Sequence, residues 1–210
     1  MPSMQRMMQI ALENGLEITE ELLSTEYIVQ SKVLFERILD EKPELFKFYK
    51  GKDEEVIEKA TKTGQFDGKT EEELDELFSG NASYAYSSAL FDYLLDGYEV
   101  DVVRRYGGSD KTIFEKMISK GLLTDKDETT FVELLQGKIN FARSDELFLA
   151  ALDKYSTDII QRYTGNAEAV FIKAVQKGLK VDFSFFEARE SFVNSNYLVE
   201  EAIKNDRTCA

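Results

Sequence analysis

The chain has 210 residues, and its 26 Lys and Arg against 40 Asp and Glu give a formal net charge of −14. This charge repels phosphate backbones and anionic surfaces, which argues against direct binding of nucleic acid or membrane. There is no histidine and one cysteine, Cys209, so histidine-based catalytic pairs and an internal disulfide are excluded. We therefore expect a reducing, cytoplasmic environment.

Residues 1–48 begin with an amphipathic stretch and are predicted to form N-terminal capping units. Val33 and Leu34 align with Leu90 and Phe91 when the repeat that follows is extended backwards. Irregular first units are expected in a stack of repeats, because one face meets water instead of a neighbour. No apolar run in the chain approaches the 18 residues of a membrane span, so none is predicted.

Residues 49–162 contain two copies of a 57-residue repeat. When 49–105 is placed on 106–162, 20 of the 57 positions are identical without a gap. A third copy begins well and then diverges, so 163–210 is predicted to be a partial repeat followed by a C-terminal cap. The three segments are expected to form one continuous domain.

Tyr49, Tyr106 and Tyr163 recur at the repeat spacing, and each begins a Tyr-x-Gly triplet. A position that is repeated in every unit of a stack is usually a packing position. We therefore expect these rings to be buried, with each hydroxyl bonded to the backbone near the turn.

Within the second copy, apolar residues recur three and four positions apart, which predicts helices and no strand. The pairs Ser109-Asp110 and Ser144-Asp145 offer candidate N-cap oxygens, and Gly121 and Gly137 are candidate helix ends. Four short helices per period, and hence an all-α fold, are predicted from four apolar stripes: Ile113, Phe114, Met117 and Ile118; Phe131, Leu134 and Leu135; Leu147, Phe148, Ala151 and Leu152; Ile159, Ile160 and Tyr163.

The segment from Asp145 to Asn166 resembles an ankyrin unit, with Leu147 in its first helix. The run 130–140 is similar to an ankyrin second helix and the turn after it. This resemblance implies an α-solenoid of stacked two-helix ankyrin-like units with irregular terminal caps. It also implies a non-enzymatic module that binds a protein partner on its concave or turn surface.

The recognition candidates are mainly turn positions of the two copies, together with a basic residue and an aromatic pair near the C-terminus. They are Asp67, Lys69, Asn81, Tyr84, Arg104, Thr124, Lys126, Lys138, Asn140, Phe185 and Phe186. We predict no catalytic residue, no metal site and no cofactor, and we expect a monomer more than an oligomer.

Three features leave alternatives open. Arg105, which recurs as Arg162, either anchors a carboxylate of the partner or forms an ion pair between units, with Asp101, four residues earlier, as the candidate acid. The acidic run 71–76 is either a cation site or acidic docking face, or a solvated helix N-terminus after Thr70, and we favour the helix N-terminus. The aromatic cluster that includes Phe185 is either a cap over the last repeat or an interface.

Two other functions remain possible. The charge of −14 could imitate nucleic acid towards a basic partner, which would make the chain an acidic inhibitor. An exposed C-terminal aromatic cluster would instead make the chain a self-assembling structural subunit.

Overall fold

A computed structural model of the chain describes residues 4–207, without the side chains of Met4, Val100 and Arg207. In this range every regular element is a helix: twelve α-helices and seven 3₁₀ helices, and no strand. The all-α class is therefore confirmed. The chain divides between Gly108 and Ser109 into two compact units, called unit 1 and unit 2 below.

Unit 1 contains five α-helices joined by short 3₁₀ helices. The α-helices are α1 (Met4–Glu13), α2 (Lys32–Glu41), α3 (Glu54–Lys62), α4 (Glu71–Gly80) and α5 (Ser88–Gly97). The 3₁₀ helices are η1 (Leu22–Ser24), η2 (Ile28–Gln30), η3 (Pro43–Phe48), η4 (Ala82–Tyr86) and η5 (Val100–Arg105). Helix α3 packs between α2 and α5, while α1 and η3 pack against α2.

Unit 2 contains seven α-helices and two 3₁₀ helices. The α-helices are α6 (Lys111–Ser119), α7 (Glu128–Leu135), α8 (Ile139–Arg143), α9 (Asp145–Lys154), α10 (Glu168–Gln176), α11 (Phe183–Ala188) and α12 (Asn196–Arg207). The 3₁₀ helices are η6 (Thr157–Arg162) and η7 (Glu190–Asn194). Helix α9 packs against α6 and α10, and α12 packs against α10 and α11.

The helix bounds recur with the 57-residue spacing because their local causes recur. Asp53 and its counterpart Asp110 cap α3 and α6, each by accepting a hydrogen bond from the amide two residues later. Ser87 and its counterpart Ser144 cap α5 and α9, each by accepting from the amide three residues later. Gly121 has φ +94° just after α6, where a residue with a Cβ would be strained. The predicted caps and this helix end are confirmed, whereas the fourth apolar stripe of the period forms the 3₁₀ helix η6.

The Tyr-x-Gly triplets are explained by close packing of the ring on the glycine. Tyr49 and Tyr163 are 1% and 2% exposed, and a Cβ added at Gly51 or Gly165 would lie 2.5 Å from the tyrosine hydroxyl. Only glycine leaves room for the ring. The hydroxyl of Tyr49 accepts a hydrogen bond from the Asp53 amide at 3.0 Å, so the predicted packing role with a backbone partner is confirmed there.

The acidic run 71–76 begins α4. Thr70 caps the helix, and its amide donates to the Glu73 carboxylate at 2.8 Å, which completes a capping box. The predicted helix N-terminus is confirmed.

The ion pair of Arg105 differs from the prediction. Its side chain is 5% exposed and contacts Asp75 at 2.8 Å and Glu71 at 2.6 Å, both on α4. The predicted pairing with Asp101 is therefore wrong. The long side chain of Arg105 extends away from its own short helix, η5, and reaches the two carboxylates on α4.

Candidate functional site

A groove of about 420 Å³ lies beside α4 in unit 1. One wall is a face of α4, where residues three, four and seven positions apart share one side of the helix. The other wall is η3 and the residues that follow it. We call this site the α4 groove, and it is lined by Phe46, Lys47, Tyr49, Lys50, Lys69, Glu73, Glu76, Leu77, Gly80, Asn81 and Tyr84.

Aromatic rings form the floor of the α4 groove. Phe46 and Tyr84 are 4% and 3% exposed, and their ring centroids lie 6.5 Å apart in a stacked arrangement. Phe46 also stacks on Tyr49 at 5.5 Å, and Phe66 packs edge-on against Tyr84 at 5.8 Å. The rings therefore hold one another in place and form a rigid apolar surface.

The two floor hydroxyls remain protonated at neutral pH. Burial raises the pKa of Tyr49 to about 12, and burial also raises the pKa of Tyr84 well above its usual value. Both groups can donate or accept hydrogen bonds, but neither is available as a phenolate nucleophile.

Asn81 fixes the floor to the preceding Tyr-x-Gly turn. Its amide nitrogen donates to the Gly51 carbonyl at 2.9 Å, and its side-chain oxygen accepts from the Ser83 amide at 3.1 Å, which caps η4. The residue is 6% exposed. Asn81 therefore shapes the α4 groove and presents little surface to a ligand.

The ends of the α4 groove carry lysines. The ammonium of Lys50 donates to the Gly80 carbonyl at the C-terminal end of α4. Lys69 lies just before α4, and among the described residues no carboxylate lies within ion-pair distance of either ammonium. Lys47 contacts Glu20 at 3.4 Å in an exposed pair. The Glu73 carboxylate is already bonded within the capping box.

Two further candidates in unit 1 have partners within the unit and lie outside the α4 groove. Asp67 accepts a hydrogen bond from the Tyr93 hydroxyl, and Arg104 pairs with Glu71 at 2.6 Å. Lys69, Asn81 and Tyr84 are thus the predicted residues that the fold brings together.

The turn candidates of unit 2 are arranged differently. Thr124 is exposed in the turn after α6, and the Lys126 carbonyl accepts from the Tyr155 hydroxyl at 3.0 Å. The ammonium of Lys138 lies 4.8 Å from the centroid of the Phe141 ring, and burial lowers the pKa of this lysine. Asn140 is half-buried in α8.

The C-terminal aromatic pair is largely covered. Phe186 is 8% exposed, and the half-buried Phe185 packs against Phe171 at 5.4 Å and Phe192 at 6.0 Å. The guanidinium of Arg189 lies over the rings of Phe171 and Phe185. This burial favours the cap for these two residues and leaves Phe186 little surface for a partner, whereas Phe183 of the same cluster is 52% exposed.

The sequence analysis missed most of the η3 side of the α4 groove, namely Phe46, Lys47 and Lys50. A signal for Lys50 was present, since the corresponding positions of the other copies are Gly107 and Thr164. Lys69 and Lys126 occupy equivalent positions of the two copies, and both are lysine. A difference between the copies therefore gives no reason to choose either of them as a recognition residue.

Among residues 4–207, no group of three or more His, Cys, Asp or Glu is placed to hold a metal ion. The described part of the chain also has no helix with the length and apolar character that crossing a membrane requires. No protein-family model, no curated protein and no solved structure matches the chain.

Proposed function

We propose that the chain is a non-enzymatic protein-interaction module and that the α4 groove holds a segment of its protein partner. The observation that carries the proposal is a groove with a half-exposed apolar wall at Leu77 and lysine residues at its ends, supported from below by a rigid, buried aromatic floor. Its volume of about 420 Å³ falls in the usual range of ligand sites, about 300–1,000 Å³. Protein-interaction surfaces usually combine an apolar centre with a polar rim.

We also propose that the helices form stacked two-helix units of an ankyrin-like solenoid that acts in the cytoplasm. Repeated backbone contacts support this proposal. The backbone amide of the residue after each repeated tyrosine donates to a carbonyl in a short helix earlier in the chain, namely η2, η4 or α8. These bonds are Lys50 to Val29 at 2.9 Å, Gly107 to Ala85 at 2.7 Å and Thr164 to Ala142 at 2.8 Å. A framework that repeats in this way leaves surface side chains free to vary.

A selection with a random peptide library displayed on phage tests the binding function. The folded chain is the target, and the Leu77→Asp variant removes the half-exposed apolar wall of the α4 groove. We expect enriched peptides to lose at least tenfold in affinity on this variant, because an aspartate in the wall must be desolvated on binding.

The matched control is Ile203→Asp, which places the same change at a half-buried position of α12 outside the groove. The circular dichroism of both variants must match that of the parent chain. If no peptide is enriched, or if enriched peptides bind Leu77→Asp and the parent equally, the proposed function is wrong.

A second candidate, the acidic inhibitor, is supported by a different surface. A pocket of about 520 Å³ beside α1 and α2 is lined by Glu13, Glu36, Asp40 and Glu41. Lys59 and Arg37 neutralise part of this charge, through contacts with Asp40 and Glu41. An inhibitor of this type should displace duplex DNA from polylysine, with an effect that disappears as salt rises from 50 to 200 mM.

A further inference from the structure

The placement of charge in the α4 groove narrows the kind of segment that it can hold. Lys69 precedes α4 and Lys50 contacts Gly80 at its other end. Helix α4 has 10 residues, so the two ends are roughly 15 Å apart. The groove therefore has a lysine residue near each end of one helix, with Lys47 as a third lysine in its lining.

These positive charges are available to a ligand. In the described part of the chain neither Lys50 nor Lys69 has a carboxylate within ion-pair distance, although the chain has a net charge of −14. The two acidic residues of the groove are Glu73, which is bonded in the capping box, and Glu76. With Lys47, the lining holds three lysines against these two glutamates, so its charge balance is positive.

An apolar surface lies between the charged ends. Leu77 is half-buried on the α4 wall, and Phe46 and Tyr84 form the floor beside it. A side chain placed there would contact mainly the half-exposed Leu77, because Phe46 and Tyr84 are only 4% and 3% exposed. Apolar burial of this kind stabilises a complex by about 25 cal/mol for each Å² buried.

We infer that the α4 groove binds an extended acidic segment of a protein partner, with two carboxylates four positions apart and one apolar side chain between them. An extended chain rises about 3.3 Å per residue, so four positions span roughly 13 Å and approach the length of α4, roughly 15 Å. This inference rests on the proposed function and names the chemistry of the segment.

Three labelled pentapeptides test the inference by fluorescence anisotropy with the full chain. The first is Glu-Ser-Phe-Ser-Glu, the second replaces both Glu by Lys, and the third replaces Phe by Ser; all have blocked ends. We expect the first peptide to bind at least tenfold more tightly than either of the others. The Lys50→Glu and Lys69→Glu variants should each weaken its binding about fivefold.

The matched control is Lys62→Glu, which makes the same charge change at an exposed lysine outside the groove and should change the affinity less than twofold. Equal or tighter binding of the lysine peptide would overturn the inference, and so would unchanged affinity of both groove variants. Failure of all three peptides would overturn it as well. The proposed function would then still be decided by the library selection and Leu77→Asp, because peptides of another charge could depend on the same wall.

Discussion

The segment 81–86 in unit 1 and the segment 138–143 in unit 2 occupy the same position of the repeat. Each follows a helix that ends nearby, and each precedes a serine that caps the next helix, Ser87 or Ser144. The first forms the 3₁₀ helix η4 after Asn81, whereas the second forms the short α-helix α8 after Lys138. Similar boundaries thus enclose different side-chain chemistry.

The difference shows which contacts maintain the framework and which ones vary. Ala85 and Ala142 both accept a backbone hydrogen bond from the residue after a repeated tyrosine. In contrast, Tyr84 lines the floor of the α4 groove, while Phe141 is fully buried and packs edge-on against Phe114 at 5.1 Å. Backbone contacts therefore define the repeat, whereas the side chains between them differ and include the lining of the groove proposed to bind a partner.

The largest effect is expected where the shared framework itself is changed. Gly51→Ala in unit 1 and Gly165→Ala in unit 2 each place a Cβ 2.5 Å from a buried tyrosine hydroxyl. Such overpacking should lower the free energy of unfolding by about 3 kcal/mol in either unit. Urea denaturation followed by circular dichroism measures this loss.

The control for both substitutions is Gly97→Ala. Nothing lies within 4 Å of the Cβ that would be added there, and the residue is the last of α5. Its free energy of unfolding should stay the same or rise by up to about 1 kcal/mol. A small effect of Gly51→Ala, similar to that of the control, would show that ring-on-glycine packing does not hold the framework together.

The next effect concerns the repeated tyrosines and pH. Burial raises the pKa of Tyr49 from 10.0 to about 12, so the folded chain keeps a proton that the unfolded chain releases. Below pH 10 the buried, protonated hydroxyl contributes fully to the free energy of unfolding. This contribution should fall by about 1.4 kcal/mol for each pH unit as the pH rises from 10 to 12. Between pH 10 and pH 12, the free energy of unfolding of the Tyr49→Phe variant should therefore fall by about 2 kcal/mol less than that of the parent chain.

Urea denaturation at pH 9, 10, 11 and 12 gives the comparison, with Tyr86→Phe as the control. Tyr86 is 65% exposed, so its hydroxyl is not buried by folding. If Tyr49→Phe followed the same pH curve as the parent chain, the buried hydroxyl would not be the group that titrates.

The helix ends could be predicted because their causes are local. Ser144 acts on an amide three residues away, and Gly121 acts through its own φ angle. The partners of Arg105 could not be predicted, since Glu71 and Asp75 lie 34 and 30 positions away in the sequence. Only packing in three dimensions brings them together.

Only part of the α4 groove could be predicted, because the rest of it also depends on contacts between residues far apart in the sequence. Differences between the copies pointed to Asn81 and Tyr84, which are close to each other in sequence. Phe46 and Lys50 belong to η3 and the turn after it, and they reach the groove only because this segment packs beside α4. Sequence spacing gives no measure of that contact.

A smaller effect should separate Asn81 from its counterpart Lys138. Asn81→Ala removes the hydrogen bond to the Gly51 carbonyl and the cap of η4, so it should cost about 1.5 kcal/mol in the free energy of unfolding. Lys138→Met keeps the contact with Phe141 and removes a charge whose pKa burial already lowers. It should cost under about 0.5 kcal/mol, and equal losses in urea denaturation would contradict this division of roles.

The smallest effect is expected from Tyr84→Phe, which gives unit 1 the ring that unit 2 has at Phe141. The floor keeps its shape, because the stacking with Phe46 and the edge contact with Phe66 involve the ring alone. Asn81 also keeps its bond to the Gly51 carbonyl. The free energy of unfolding should change by less than about 1 kcal/mol.

The same variant distinguishes the ring from the hydroxyl in recognition. If the apolar side chain of the bound segment rests on the ring, the affinity for Glu-Ser-Phe-Ser-Glu measured by anisotropy should change less than twofold. A loss above fivefold at unchanged stability would mean that the Tyr84 hydroxyl bonds the segment directly. The groove would then recognise a polar group at its floor, and the apolar residue assigned to the middle of the segment would have to be replaced by a hydrogen-bonding one.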